Sequence, residues 1–435
     1  MDARKAALHV LIACRKNESY ADGALNEQIR RNAPDRRDAA FATGLVYCVL
    51  QNRALLDWYL AQKVHGKLSD LQPVVLDILR LGACQLLLMD KVPDRAAVNE
   101  AVEQAKKSAN QKAAGLVNGV LRALIRDRQS LTPPQSLSVR YSHPQALVEL
   151  LTQQVGQAQI PALLAANNAP APVCLQINTL RADAASVLEA LHEAGISAKP
   201  HPWLSGCILA DSLRGAEGLA AFRDGAVYVQ DAAARLAVLA AGLAPGMDVL
   251  DCCAAPGGKS FAAAIAMQDQ GSVTACDLHE GKLRLIREGA DRLGVSIIHT
   301  MQADASQSRP DWKERFDAVI ADVPCSGLGV IRKKPDIRYK DIDRLSALPA
   351  IQSAILNTVS SYVNPGGVLL YSTCTILRRE NEAVVSAFLA AHPDYSPESF
   401  EAPDQEAFHN AGMLTLYPHI HDTDGFFIAK LRKQK

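Results

Sequence analysis

The chain is 435 residues long, 49% hydrophobic and 21% charged, and its 46 basic residues balance 46 acidic ones. This composition excludes a disordered, fibrous or low-complexity protein and allows two or three domains with ordinary buried cores. The charge is unevenly spread: residues 1–128 hold 20 basic and 14 acidic side chains, a net of +6, and the rest of the chain carries −6. A basic N-terminal third hints at a polyanionic partner, although a solvated surface is the more usual cause of such a bias. The ten cysteines form no C-x-x-C pair, so no metal is expected. The opening MDARKAALHV has no apolar signal core, and no apolar run approaches the roughly 18–20 residues that span a bilayer. The expectation is a cytoplasmic protein, monomeric and away from membranes, whose thiols stay reduced.

Residues 1–128 read as helices. Leu8, Leu11 and Ile12 share a face, as do Phe41, Leu45, Cys48 and Val49, and a third stripe is Leu76, Leu79, Ala83 and Leu86. A helical bundle buries such stripes. Pro133 and Pro134 mark a linker over 129–140. Residues 141–225 look mixed, with a strand at Val173–Asn178 and a helix from Ala184 closed by Gly195, which predicts a small α+β subdomain. From 226 to 435, strands alternate with helical stretches: Met247–Cys253, Ser272–Asp277, His299–Asp304, Phe316–Val323 and Gly367–Thr373. Continuous apolar runs such as DAVIADV and GGVLLYS suit strands buried on both faces, so this part is an α/β, Rossmann-like domain with a mostly parallel sheet. Two antiparallel strands are predicted in the tail, at Met413–Pro418 and Gly425–Lys433.

The first strand of that domain runs into Cys253, Ala254, Ala255, Pro256, Gly257, Gly258 and Lys259, then a helix. A glycine turn there lets a ligand approach the backbone, and the helix start favours a carboxylate. The turn is neither G-x-G-x-x-G nor a P-loop, which argues against a dinucleotide or a nucleoside triphosphate. Asp277, 20 residues beyond Gly257, ends the second strand and suits ribose hydroxyls, and Asp304 ends the third and suits an adenine amino group. A nucleoside with an amino-acid tail fits this set.

Two further strands end in D-V-P-C-S-G-L-G, carrying Asp322 and Cys325, and in Y-S-T-C-T, carrying Cys374. Both cysteines therefore belong to the carboxyl edge of the sheet, where open α/β sheets bind ligands. Carbon 5 of cytosine is a poor nucleophile until a thiolate adds to carbon 6, and the adduct must later be eliminated. One cysteine serves the attack and a second group the elimination. Asp322 is placed to hold cytosine N3, and Lys259 to add positive charge. The remaining cysteines read as small buried hydrophobes.

DCCAAPGGKS (251–260), DVPCSGLG (322–329) and YSTCT…ENE (371–382) resemble the signature blocks of the NOL1/NOP2/Sun family of RNA cytosine-5 methyltransferases. AAVNEAVEQAKK (96–107) and GLVNGVLR (115–122) are similar to NusB-like helical RNA-binding domains. YSHP (141–144) and the segment around Asn178 look like the RNA-recognition subdomain of the family, and GAVYVQDAAA (225–234) and DGFFIAKL (424–431) match segments flanking its catalytic core. The combination covers nearly the whole chain and resembles the members that modify small-subunit (16S) rRNA.

The resemblance implies S-adenosylmethionine as cofactor, held by Cys253–Lys259, Asp277, Asp304 and Asp322. It also implies Cys374 as nucleophile and Cys325 in product release. Two departures are Gln176, where the family often has arginine, and VQDAAA, which lacks a serine after its acid. Transfer RNA as substrate, and a non-catalytic RNA-binding assembly factor, are the rival expectations. The stretch Arg332, Lys333, Lys334, Arg338 and Lys340 suits either phosphate contact or a solvated loop.

Overall fold

A computed structural model describes residues 3–17, 21–32, 35–211, 219–403 and 405–435. The chain divides into two compact units, Met1–Asn168 with Ile331–Lys340, and Ala169–Val330 with Asp341–Lys435.

The first unit is helical: α1 (Ala3–Asn17), α2 (Ala21–Asn32), α3 (Arg36–Ala61), α4 (Pro73–Leu88), α5 (Asp94–Ser108), α6 (Gln111–Arg126), α7 (Leu137–Arg140), α8 (Gln145–Val155) and α9 (Ile160–Asn168). Helix starts are set by side chains that satisfy free amides: Asp35 accepts from Asp38 N at 2.8 Å and Asn110 from Ala113 N at 2.9 Å. The stripes read from the sequence turn inward, with Leu8, Leu45, Val49, Leu79 and Ala83 in one core with Leu121 and Leu124. Gly82 lets α4 and α6 meet closely, since a β carbon there would lie 2.5 Å from Leu121 Cδ1. By length and composition Arg37–Ala61 is apolar enough to cross a membrane. Its Leu45, Val46, Val49, Leu56 and Leu60 lie in the bundle core, so it reads as a core helix. Cys48 and Cys84 are not two separate buried thiols: they join α3 to α4 as a disulfide.

α3 is interrupted at Asn52 (φ −121°, ψ 19°). In an unbroken helix, Ala54 N and Leu55 N would bond the carbonyls of Leu50 and Gln51. Here both amides bond Ser142 Oγ, at 2.6 and 3.2 Å. The carbonyls are taken by the segment Ile331–Lys340: Tyr339 Oη donates to Leu50 O at 2.7 Å and Arg338 Nη1 to Gln51 O at 2.9 Å. Arg53 stacks over the Tyr339 ring, 3.6 Å from its centroid. Arg338 is 1% exposed, and burial lowers its pKa to about 10. It is therefore a structural plug in the helical unit, which corrects the expectation that it meets phosphate or solvent. Packing also groups α7–α9 with the bundle rather than with the mixed region that follows.

The second unit holds two sheets. The smaller has the order β2-β3-β1-β4, from β1 (Val173–Ile177), β2 (Ala198–Pro200), β3 (Cys207–Ala210) and β4 (Val227–Val229), backed by α10 (Ala184–Glu193) and followed by the short α11 (Ala220–Arg223) before β4. Gln176 does not project outward: it is 1% exposed, and its Nε2 donates to Gln230 O at 3.0 Å beside the sulfurs of Cys174 and Cys207. Asn178 Nδ2 donates to Gly225 O and to Leu293 O, both at 2.9 Å, which ties this sheet to the larger domain.

The larger sheet comprises β5 (Asp248–Asp251), β6 (Ser272–Asp277), β7 (Ile298–Gln302), β8 (Phe316–Asp322), β9 (Val363–Thr373), β10 (Tyr395–Pro397), β11 (Met413–Leu416) and β12 (Phe426–Lys433). Its order is β10-β12-β9-β8-β5-β6-β7, with β11 on β12. β5 to β9 pair in parallel, and β10 to β12 pair antiparallel. One face, with Val249, Ala275, Ile320 and Leu370, is covered by α12 (Ala232–Ala240), α13 (Gly258–Ala266) and α14 (Glu280–Leu293). The other, with Leu250, Val319, Leu369 and Tyr371, is covered by α15 (Leu348–Ser360) and α16 (Glu382–Ala391). A further short helix, α17 (Pro418–His421), precedes β12. Burial on both faces is why these strands are continuous apolar runs. The order reverses between β5 and β8, and that switch point sets where a ligand enters.

Candidate active site

β5 delivers the chain into the turn Cys252–Gly257 and α13 begins at Gly258. Ala255–Pro256 is a cis peptide, and Gly257 has φ +111°, a conformation open to glycine. A β carbon on Gly257 would lie 2.5 Å from the Phe261 ring, and one on Gly258 3.0 Å from Gln230 Nε2. Below the turn, Asp251 is fully buried and accepts from Ser260 Oγ at 2.7 Å. Burial pushes its carboxyl up to about 7, against the opposing effect of the Ser260 bond.

Asp277 closes β6, is 8% exposed, and accepts from His279 N at 3.0 Å with Lys282 Nζ at 3.6 Å. Asp304 lies two residues past the end of β7 and is exposed. Its Oδ1 accepts from Ser306 N at 2.9 Å and Ser306 Oγ at 2.7 Å, and the Ser306 hydroxyl holds its pKa below the usual carboxylate value.

The two cysteines meet. Cys325, after β8, and Cys374, after β9, have their sulfurs 3.0 Å apart. Lys259 Nζ donates to Asp322 Oδ2 at 2.7 Å, and Ser372 Oγ to Asp322 Oδ1 at 2.7 Å. The Lys259 ammonium also lies 5.1 Å from the Phe426 ring centroid. Burial opposes the charge on Lys259, but the Asp322 carboxylate overcomes it and raises the pKa. The sulfurs are not equivalent. The hydrogen bond from Cys325 lowers the Cys374 pKa against its own burial, and Lys259 lowers it further. The same hydrogen bond, then burial, then the charges of Cys374 and Glu380 push Cys325 well up. The two thiols titrate as a pair, and of the two it is Cys374 whose surroundings favour the charged form.

Sequence reasoning named the cysteines, Lys259 and Asp322, and these four side chains gather at the carboxyl edge of β8 and β9. It assigned no role to Asp251, Ser260, Ser372, Gln352 or Glu380. Asp251 and Ser372 sit inside motifs already singled out, and Glu380 begins the ENE block, so their position was a signal. Gln352 carried none.

The chain matches the family model described as "16S rRNA methyltransferase RsmB/F" over residues 239–432. It also matches the NusB family over residues 1–126 and a ferredoxin-like domain of RsmF/B-like methyltransferases over 143–213. It is 38% identical to the probable ribosomal RNA small subunit methyltransferase B of Bacillus subtilis (strain 168), covering 99% of this chain and 98% of that one. The identity to the corresponding probable enzyme of Synechocystis sp. is 34%, over 100% of both chains. The solved structure described as "Crystal Structure of PH0851" has the same fold with a TM-score of 0.82, at 24% identity over 99% of this chain and 98% of that chain. NSun6 from Pyrococcus horikoshii, solved with SFG, aligns with a TM-score of 0.61 at 22% identity, covering 67% of this chain and 98% of that one. On these grounds the chain is an RNA methyltransferase and belongs to the RsmB/F family of 16S rRNA methyltransferases.

Proposed function

We infer that this protein transfers a methyl group to carbon 5 of a cytosine in 16S rRNA, with Cys374 as nucleophile and Cys325 assisting release. The observation that carries the reading is the 3.0 Å pair of sulfurs beside the Lys259–Asp322 ion pair. Only a thiolate and a proton-bearing neighbour give both an attacking group and a group that eases its departure.

The turn around Gly257 fits S-adenosylmethionine: its cradle has no room for β carbons, the start of α13 offers amides to a carboxylate, and Asp277 is placed for ribose hydroxyls. Asp304 is the candidate partner of the adenine. When bound, S-adenosylmethionine supplies a methyl group made electrophilic by a positively charged sulfur.

The Cys374 thiolate gives its electron pair to cytosine C6, forming an S–C6 bond and driving charge through C5 and C4 to N3. That charge takes a proton along the Lys259–Asp322 hydrogen bond, and C5 is left enamine-like and able to accept the methyl. Afterwards the C5 proton leaves to water, the C5–C6 double bond re-forms and N3 returns its proton. The S–C6 bond breaks with its electron pair on sulfur. The Cys325 thiol donates to that departing sulfur. The target base must leave any stack, at a cost of a few kcal/mol that is least in an open RNA region. The basic helical unit is the matching RNA grip.

Reconstituted methylation with small-subunit rRNA and separately with bulk transfer RNA tests the substrate, with bisulfite sequencing to locate the methyl. Label at cytosine C5 of 16S rRNA is expected. Modification of transfer RNA alone, or at another atom, overturns the reading.

A further inference from the structure

The loop that carries Cys325 is held from beneath by a buried carboxylate. Glu380 and Gln352 are both 0% exposed. Glu380 Oε2 accepts from Ser326 N at 2.8 Å and from Gln352 Nε2 at 2.9 Å. The same Gln352 Nε2 donates to Pro324 O at 3.0 Å. The residues on both sides of Cys325 are thus fastened to one carboxylate–amide pair. Ser326 Oγ donates to Thr375 Oγ1 at 2.8 Å, which joins the loop to the residue after Cys374. Glu380 is itself fixed, because Tyr371 Oη donates to its backbone carbonyl at 2.6 Å.

A carboxylate is a costly choice for a purely mechanical clamp in a dry interior, because an amide could accept the same bonds. Its Oε1 has no hydrogen-bond partner. What the carboxylate adds is charge. A negative group below the loop disfavours a second negative group at Cys325: the hydrogen bond to Cys374 and burial raise the Cys325 thiol most, and Glu380 adds to them. The other groups facing the sulfur pair are divided. Lys259 of α13 favours the thiolate at Cys374, whereas Asp322 of β8 and Asp424 before β12 oppose it. Tyr371 of β9 is pushed up, chiefly by burial, and stays neutral.

We propose that Glu380, acting with Gln352, is a positioning residue that holds Cys325 against Cys374 as a proton-bearing hydrogen-bond donor, and so assigns the two cysteines their different roles. The proposal rests on the reading of Cys374 as nucleophile and Cys325 as the releasing thiol. Glu380 touches neither substrate nor cofactor in this account.

The test uses the full-length protein. In a Cys374→Ser background, alkylation of Cys325 by iodoacetamide is followed against pH with and without Glu380→Gln. Removal of the charge is expected to move the midpoint to lower pH, while Glu380→Asp, which keeps the charge, leaves it above that of Glu380→Gln. With Cys374 intact, Glu380→Gln is expected to slow single-turnover methyl transfer less than it slows release. Release should slow by at least about tenfold, the factor one charged hydrogen bond is worth, with a covalent RNA adduct on a denaturing gel. A merely structural role would lower melting temperature and both rates together. An unchanged midpoint, or equal loss of transfer and release, overturns the inference. If Cys325→Ala gives no adduct either, the role reading fails, and the alkylation midpoint still decides for or against Glu380.

Discussion

Gly425 N donates to Gly329 O at 2.8 Å, and a β carbon on Gly329 would run into the carbonyl oxygen of Gly425. Gly329 N in turn donates to Cys374 O at 3.0 Å. The loop from Cys325 to Gly329 is thereby stitched to the turn before β12 and to the backbone of Cys374. Gly329→Ala is expected to part these strands of chain and separate the sulfurs. Steady-state methylation should fall by at least about tenfold, a cost typical of forced backbone shifts. Binding of S-adenosylhomocysteine by calorimetry should be unchanged, because the atoms nearest the added β carbon belong to Gly425 and Cys374 and not to the Gly257 turn. Full activity in Gly329→Ala would refute the coupling.

The sulfurs themselves give a split phenotype. Cys374→Ala is expected to abolish methyl transfer while calorimetric binding of the methyl donor survives. Cys325→Ala should instead trap the protein on RNA as a slow band in a denaturing gel. Turnover in Cys374→Ala together with no adduct in Cys325→Ala would reverse the assignment.

Lys259 supports the thiolate and the Asp322 carboxylate at once. Lys259→Met is expected to reduce the single-turnover rate at neutral pH by about a hundredfold or more, the scale of a lost acid–base group. The sign with pH follows from the same charge: without the ammonium the Cys374 thiol holds its proton to higher pH, so the rising limb of the rate profile shifts upward. A profile that falls in height without shifting would separate Lys259 from the thiol.

Two buried groups act on stability in opposite directions. Burial raises Asp251 from 3.8 to about 7, so the folded state binds the extra proton between those values, and stability is lost as pH rises through that window. Burial, with Arg338 nearby, lowers His143 from 6.5 to about 3, so its contribution is present above 6.5 and lost as pH falls toward 3. Urea unfolding across pH 4–8 is expected to show Asp251→Asn losing less stability than wild type as pH rises from 4 to 7, and His143→Gln losing less as pH falls from 6.5 to 4. Parallel curves for wild type and either variant would contradict that residue's share.

The Gly257 cradle predicts a binding defect. Gly257→Ala combines a left-handed backbone with a β carbon 2.5 Å from Phe261, a strain of about 1–3 kcal/mol. Calorimetry with S-adenosylhomocysteine is expected to show affinity lowered by about tenfold or more. Unaltered affinity would place the donor elsewhere.

The large sheet was legible because burial on both faces leaves long apolar runs, and Phe316–Asp322 needed nothing beyond DAVIAD. The four candidate side chains were legible because each ends a strand or opens a helix at one edge. The clamp on Cys325 was not, since Glu380 and Gln352 are 54 and 28 residues away from their backbone partners and carry no local periodicity. The surroundings of Gln176 were not legible either: sequence showed only a departure from the family's usual arginine, whereas in the fold two sulfurs and a carbonyl receive its amide. The grouping of α7–α9 with the bundle depends on Ser142 meeting the break in α3, which no single stretch of sequence displays.

That break in α3 binds the ten residues Ile331–Lys340 into the helical unit, between two parts of the catalytic one. The chain therefore passes from one unit to the other three times, not once. Neither half is a detachable bead: a fragment beginning at Ala169 would carry Arg338 and Tyr339 away from the carbonyls that satisfy them, and would leave those of Leu50 and Gln51 behind. Evolutionary exchange of the helical module as a cassette would have to bring its own plug, written into the catalytic reading frame just downstream of Cys325.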